Sequence, residues 1–129
     1  MPTRSILSTC LAAAALVCVR PAEGAGVISI DWGTTGSFQR TVSVEPGRFV
    51  EVCGALPAPM SVAWRFEADT ALDFNVHYHE GQKVSYPENR KGLRDASGTL
   101  AVTTPQEYCW MWTNPSARTT RLQLTLERR

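Results

Sequence analysis

The chain has 129 residues, of which 43% are hydrophobic, and a formal net charge of +1 from 13 basic and 12 acidic residues. This length suits one domain with one core and not two. The near balance of charge leaves no basic excess to attract nucleic acid or an anionic membrane, so both classes of partner are excluded.

The first 24 residues are predicted to be a secretory signal peptide. Arg4 supplies a positive start, residues 6–19 are apolar, and Ala22 and Gly24 place small residues where signal peptidase reads the chain. An uncleaved anchor is the alternative, but the apolar run is shorter than the roughly 20 residues that span a bilayer. We therefore expect cleavage after Gly24, a domain over 25–129 with balanced charge and no later membrane span, and a periplasmic or secreted location.

Four cysteines are present, and the predicted cleavage removes Cys10 and Cys18. Cys53 and Cys109 remain, and an exported chain meets an oxidising compartment in which such a pair persists as a disulfide. The long loop that this bridge closes makes it worth about 4 kcal/mol in the chain-entropy model. A redox-active pair is the alternative, but the C-x-x-C spacing typical of that chemistry is missing.

The rest of the chain alternates short apolar–polar segments with turn residues, as in antiparallel β-sheets. Residues 87–97 are polar and charged and are predicted to form a long loop. The pattern predicts an all-β sandwich of about eight strands. The predicted strands are 26–32, 38–44, 48–53, 60–67, 72–79, 82–86, 98–103, 107–113 and 119–127.

Three of these segments resemble the GOLD domain, a β-sandwich of cargo receptors in the early secretory pathway and of some lipid-transfer proteins. They are Ser-Val-Ala-Trp-Arg-Phe-Glu-Ala-Asp at 61–69, Leu-Asp-Phe-Asn-Val at 72–76 with Gly81 after it, and Tyr-Cys-Trp-Met-Trp-Thr-Asn at 108–114. The resemblance covers about residues 45–127. It implies a GOLD-like or jelly-roll-like sandwich.

The resemblance also implies a disulfide from the start of the domain to the late aromatic strand, which suits Cys53 and Cys109. If Trp112 and Asn114 match the family's Phe-x-Asn, however, Met111 stands at the usual cysteine position, and Cys109 is two residues early on the same face. The receptors' coiled coil, membrane span and cytoplasmic tail have no counterpart here. The resemblance therefore implies a fold and not the cargo-receptor function.

His77 and His79 are the two histidines of the chain, and they lie at positions i and i+2 of a predicted strand. Their side chains should share one face with Asp73 and Asn75, while the apolar residues of the strand occupy the other. Two imidazoles with Asp73 or Glu80 as a further ligand could bind Zn²⁺ or Cu²⁺. The favoured interpretation is the solvated face of a half-buried sheet, which alternation alone produces.

Three aromatic side chains share one face of the predicted strand 107–113: Tyr108, Trp110 and Trp112. Cys109 and Met111 face the other way. The favoured interpretation places the aromatic face in the core with Trp64. Alternatively the aromatic face is an exposed ridge, ending at Asn114, that binds a protein, a sugar or a lipid.

The sequence has no nucleophile motif, no Cys–His dyad that survives disulfide formation, and no glycine-rich phosphate loop. We therefore expect an exported, non-catalytic binding or structural module that engages a protein or envelope ligand without a cofactor. The alternative is a periplasmic copper- or zinc-binding protein that uses His77 and His79.

Overall fold

The structure, a computed structural model, describes residues 26–129, which form seven β-strands and no helix. The all-β class is therefore confirmed. The strand count differs from the predicted eight because predicted strands merge into two long ones, β4 and β5. The strands are β1 (Gly26–Ser29), β2 (Ser37–Val44), β3 (Phe49–Leu56), β4 (Met60–Glu80), β5 (Lys83–Val102), β6 (Gln106–Thr113) and β7 (Thr120–Arg128).

All seven strands belong to one sheet, in the order β1-β3-β6-β4-β7-β2, with β5 paired to β4. The strand β4 has different neighbours along its length: residues 62–68 pair with β7, and residues 73–77 pair with β6. Strand β1 runs parallel to β3, and every other strand pairing within residues 26–129 is antiparallel. The sheet curls around its core into a half-barrel, which differs from the expected sandwich of two separate sheets.

Because β4 pairs with β7 in its first half and with β6 in its second half, the curled sheet has two layers. The first layer contains β1, β3, β6 and the second half of β4, and the second layer contains β2, β7 and the first half of β4. Strand β5 pairs with both halves of β4 and so borders both layers. One long hairpin therefore holds the two layers together.

The core fills the concave side of the half-barrel, and Phe74 is central to it. Its ring centroid lies 4.8 Å from that of Trp64, 5.0 Å from that of Phe66 and 5.4 Å from that of Trp112. Both halves of β4 supply alternate apolar side chains to this cluster, as the period of two in a strand requires. Tilted and edge-on aromatic pairs at these separations add to the gain from apolar burial.

The predicted loop at 87–97 is wrong, because these residues belong to β5. Within residues 26–129, β5 pairs with β4 alone, and the register shifts three times along the pair. An edge strand that is mostly exposed has little apolar surface to bury, so its sequence does not show the alternation that marks a strand. Charged residues along such an edge also discourage pairing with other chains.

The predicted signal peptide lies outside the described residues. Within residues 26–129, the structure shows no helix with the length and apolar character needed to cross a membrane.

Candidate functional site

The outer surface of the first layer brings together the disulfide, both histidines and several exposed apolar side chains. Register explains the assembly: Cys53 pairs with Cys109, and Cys109 pairs with His77, so their side chains point the same way across three strands. Glu51, Met111 and Asn75 form the next row. We call this surface the disulfide face. It comprises Val27, Phe49, Glu51, Cys53, Asn75, His77, His79, Tyr86, Cys109 and Met111.

Cys53 and Cys109 form the disulfide, which confirms the sequence-based prediction. The bridge joins directly opposed residues of β3 and β6, with their Cα atoms 4.1 Å apart. Both cysteines are buried although they face outward from the core. The bridge therefore ties two adjacent strands together beneath the surface of the disulfide face.

His77 is the most unusual residue of this surface, since it is only 7% exposed on the outer side of the sheet. Its Nδ1 lies 2.8 Å from Oδ1 of Asn75, and its Nε2 lies 3.5 Å from Oε2 of Glu51. The rings of His79 and Tyr86 flank it, with centroids 5.3 Å and 6.0 Å away. These contacts fix the plane of the imidazole.

The pKa of His77 is lowered from its usual value. Burial is the largest cause, because removing the imidazolium from water disfavours its charge. The Glu51 carboxylate opposes this effect by raising the pKa, and His79 adds a smaller lowering. His77 is therefore a neutral ring at neutral pH, with one nitrogen protonated and the other a lone-pair donor.

The four residues predicted as metal ligands do not all meet. His77 and His79 are adjacent, but the Asp73 carboxylate accepts a hydrogen bond from the backbone N–H of Gly92 at 3.1 Å. Glu80 is exposed at the end of β4, where its charge contributes to raising the pKa of Tyr108. The structure thus leaves the two histidines together and places Asp73 and Glu80 elsewhere.

Glu51, and not the predicted Asp73 or Glu80, is the carboxylate beside His77. It lies on β3, and β6 stands between β3 and β4 in the sheet. A signal was present in the sequence: Glu51 precedes Cys53 by two residues, so both side chains share one face. The predicted bridge to Cys109 then links that face to β6, but the pairing of β6 with β4 could not be read from the sequence.

A second grouping of ligand-type residues overlaps this one. Within the part of the chain that the structure describes, Glu51, Cys53 and Cys109 form the one group of three whose ligand atoms lie within 4.8 Å of one another. The two sulfur atoms are bonded to each other, so neither is a thiolate that could bind a metal. Glu51 and the histidines are the metal-ligating side chains that remain on the disulfide face.

Exposed apolar side chains also concentrate on the disulfide face. Among residues 26–129, the large hydrophobic side chains that are exposed are Val27 (64%), Phe49 (40%) and Tyr86 (52%). Val27 pairs with Glu51, Phe49 lies two residues before Glu51, and Tyr86 contacts His77. All three therefore belong to the same surface, on three different strands.

The residues proposed for an aromatic binding ridge lie inside the protein. Tyr108, Trp110 and Trp112 are buried, and the hydroxyl of Tyr108 donates a hydrogen bond to the carbonyl oxygen of Thr104 at 2.9 Å. The favoured core interpretation is what the structure shows, and the exposed ridge is not present. The reason is the register: β6 turns its odd-numbered residues, Cys109 and Met111, outward.

Asn114 is also structural, although it was grouped with that ridge. It is fully buried, and its amide nitrogen donates hydrogen bonds to the carbonyl oxygens of Val44 at 2.9 Å and Arg118 at 2.6 Å. Its Oδ1 accepts from the backbone N–H of Ser116 at 3.0 Å and from its hydroxyl at 2.7 Å. Asn114 thus fastens the β6–β7 turn to the end of β2 and offers nothing to a ligand.

A groove of about 590 Å³ lies on the outer surface of the second layer. Its walls are mostly polar, and Phe66, Ala96 and Leu124 contribute its apolar lining. Such a surface lacks the exposed apolar anchors on which most protein contacts depend. We therefore regard the disulfide face as the stronger candidate site.

Comparison with known proteins gives structural neighbours but no sequence family. No protein-family model matches the chain, and no curated protein is similar in sequence. Among solved structures, the chain is similar to a periplasmic inhibitor of g-type lysozyme from Aeromonas hydrophila, with a TM-score of 0.63 and 10% identity over 82% of this chain and 98% of that one. At this identity the likeness concerns the fold alone.

Two further solved structures are similar. The Yersinia pseudotuberculosis-derived mitogen has a TM-score of 0.56 and 10% identity, covering 70% of this chain and 84% of its own. The pre-peptidase C-terminal domain of a Bacillus anthracis collagenase has a TM-score of 0.52 and 13% identity, covering 84% and 98%. All three are small domains, and they share the all-β architecture with this chain.

Proposed function

We propose that this chain is an exported, non-catalytic module that binds a protein through its disulfide face. The observation that carries the proposal is the clustering of the three large exposed hydrophobic side chains, Val27, Phe49 and Tyr86, on one face. Scattered single apolar residues are normal on a protein surface, whereas a cluster marks an interaction site. The names of two structural neighbours, an inhibitor and a mitogen, support a function through binding.

The disulfide face has the physical properties of a docking surface. Its backbone belongs to a hydrogen-bonded sheet tied by the Cys53–Cys109 bridge, so little ordering is needed when a partner binds. Phe49 and Tyr86 supply aromatic side chains, which are enriched among residues that dominate binding energy. Glu51 and His79 provide polar and charged groups that would fix the orientation of the partner.

We take g-type lysozyme as the partner to test first, because the first neighbour inhibits that enzyme. The purified chain should bind g-type lysozyme and slow its lysis of bacterial cell walls. Phe49→Asp and Tyr86→Asp should each weaken binding by about 10–30-fold, since an aromatic contact is lost and a charge is introduced into the interface. Calorimetry and a turbidity assay measure the two effects.

Thr41→Asp is the matched control, because it places the same charge on the exposed outer surface of the second layer. It should bind as the wild type does. If the wild type neither binds nor inhibits the enzyme, this partner is wrong. If all three variants weaken binding equally, the disulfide face is not the docking surface.

The GOLD-like family assignment remains part of this proposal. The motif segments 61–69 and 72–76 lie on β4, and the segment 108–114 lies on β6 and the residue that follows it. Alternate side chains of these segments build the core, which supports the assignment. The assignment concerns the fold and adds no ligand.

A further inference from the structure

Two hydrogen-bond acceptors, Nε2 of His77 and Oε2 of Glu51, face each other at a nearly buried place on the disulfide face. Oδ1 of Asn75 can only accept, so the Nδ1 atom of His77 carries the hydrogen of the neutral ring. Nε2 then presents a lone pair toward Oε2 of Glu51, 3.5 Å away. A lone pair and a carboxylate repel each other unless a cation lies between them.

The spacing of these two atoms suits a metal ion. Zn²⁺ binds histidine nitrogen and carboxylate oxygen at about 2.0–2.2 Å in tetrahedral geometry, which places two ligand atoms about 3.4 Å apart. The separation of 3.5 Å between Nε2 and Oε2 is close to this value. A metal-binding histidine also usually donates its other ring N–H to an oxygen acceptor, as His77 does to Asn75.

His79 can supply a third ligand. Its ring stands almost perpendicular to that of His77, with centroids 5.3 Å apart, on the same face two residues further along β4. The side chain is exposed, so it can change rotamer at little cost and turn a nitrogen toward the Glu51–His77 pair. The disulfide keeps both cysteines out of the ligand set.

We propose that Glu51, His77 and His79 bind one Zn²⁺ ion on the disulfide face, with the fourth position open to solvent. Two histidines and one glutamate are a ligand set that zinc accepts, and the borderline character of the ion matches nitrogen and oxygen donors. The inference does not depend on the protein-binding function, because it follows from the spacing of the Glu51–His77 pair and from the adjacent exposed position of His79.

Titration of the EDTA-stripped chain with Zn²⁺, followed by calorimetry, tests the proposal. The wild type should bind one equivalent. Glu51→Gln and His77→Gln should each weaken binding by at least about tenfold, because each removes a ligand while keeping the size of a polar side chain. His79→Gln should also weaken it. Long-range ¹H–¹⁵N spectra should show the Nε2 resonance of His77 shifting on addition of Zn²⁺ while Nδ1 keeps its hydrogen.

Asp73→Asn and Glu80→Gln are the matched controls, since each neutralises a carboxylate on the same strand as the histidines but away from the pair. Both should bind Zn²⁺ as the wild type does. Thermal melting in EDTA checks that every variant is folded, and Glu51→Asp replaces Glu51→Gln if the latter is not. Binding by the His77 and Glu51 variants equal to wild type overturns the proposal, and so does a loss confined to His79→Gln or to either control.

Discussion

At the scale of single residues, the protein pairs most of its buried polar groups through specific contacts. Asn114 uses both ends of its amide, and the hydroxyl of Tyr108 reaches the carbonyl oxygen of Thr104. The indole N–H groups of Trp64, Trp110 and Trp112 are buried without a hydrogen-bond partner among the described residues. His77 differs from them in its place on the outer face, where Nδ1 faces Asn75 and Nε2 faces Glu51. Unpaired buried polar groups cost free energy, so the three indoles offset part of the gain from burying their rings.

Tyr108 gives a prediction about alkaline pH. Burial is the main cause that raises the pKa of its phenol, and the proximity of Tyr78 adds to it. The unfolded phenol ionises near pH 10, so above that pH the folded chain holds a proton that the unfolded chain has lost. This contribution to stability is complete below pH 10 and is lost as the pH rises through the higher pKa of the folded state.

The free energy of unfolding should therefore fall more steeply above pH 10 in the wild type than in Tyr108→Phe. Urea denaturation at pH 8 and at several values up to pH 11 measures the difference. Tyr86→Phe is the matched control, since it removes the same hydroxyl at an exposed position. Parallel curves of the free energy of unfolding against pH for the wild type and Tyr108→Phe would show that burial of this phenol does not make stability depend on pH.

At the scale of elements, β4 and β5 decide the architecture. Residues 62–68 and 73–77 of β4 belong to different layers, and the β4–β5 register shifts near the point where the partners change. Such irregularities bend a strand and increase its twist. Strand β5 packs closely on β4 at Gly98, which lies opposite Trp64 in the register.

Gly98→Ala should lower the free energy of unfolding by about 1–3 kcal/mol, because overpacking forces the neighbouring groups to move. A Cβ atom at this position would lie 2.6 Å from Cζ2 and 2.9 Å from Cε2 of the Trp64 ring. Chemical denaturation and the tryptophan emission spectrum measure the change. Thr99→Ala, at the exposed neighbouring position, should stay within about 0.5 kcal/mol of wild type. An unchanged midpoint for Gly98→Ala would mean that the Trp64 ring is free to move.

At the scale of the whole molecule, a curled sheet with one bridge encloses a single aromatic core. The disulfide fits an exported protein, since such bonds persist in oxidising compartments. A small domain gains much from a cross-link of this kind, because its core alone supplies limited stability. The charge balance predicted for residues 25–129 also agrees with a partner recognised by shape and apolar contact.

Export makes a prediction for the full chain. Expressed with its first 24 residues in a bacterium, the protein should be recovered from the periplasm or medium with Ala25 as its first residue. Intact-mass analysis and N-terminal sequencing give the result. Ala22→Leu with Gly24→Leu should block cleavage, since signal peptidase requires small residues there. Recovery of the uncleaved wild type in the membrane would support an anchor instead.

Alternation in the sequence by itself predicted the all-β class and the two faces of β4, and it favoured the aromatic face of β6 as the inward one. The cysteine count after the predicted cleavage predicted the Cys53–Cys109 pairing. These properties follow from the period of two in a strand and from local composition. Only the tertiary structure decided that β5 is a strand and that β4 spans both layers. It alone brought Glu51, rather than Asp73 or Glu80, to His77. Pairing between β3, β6 and β4 depends on long-range register, which no local pattern encodes.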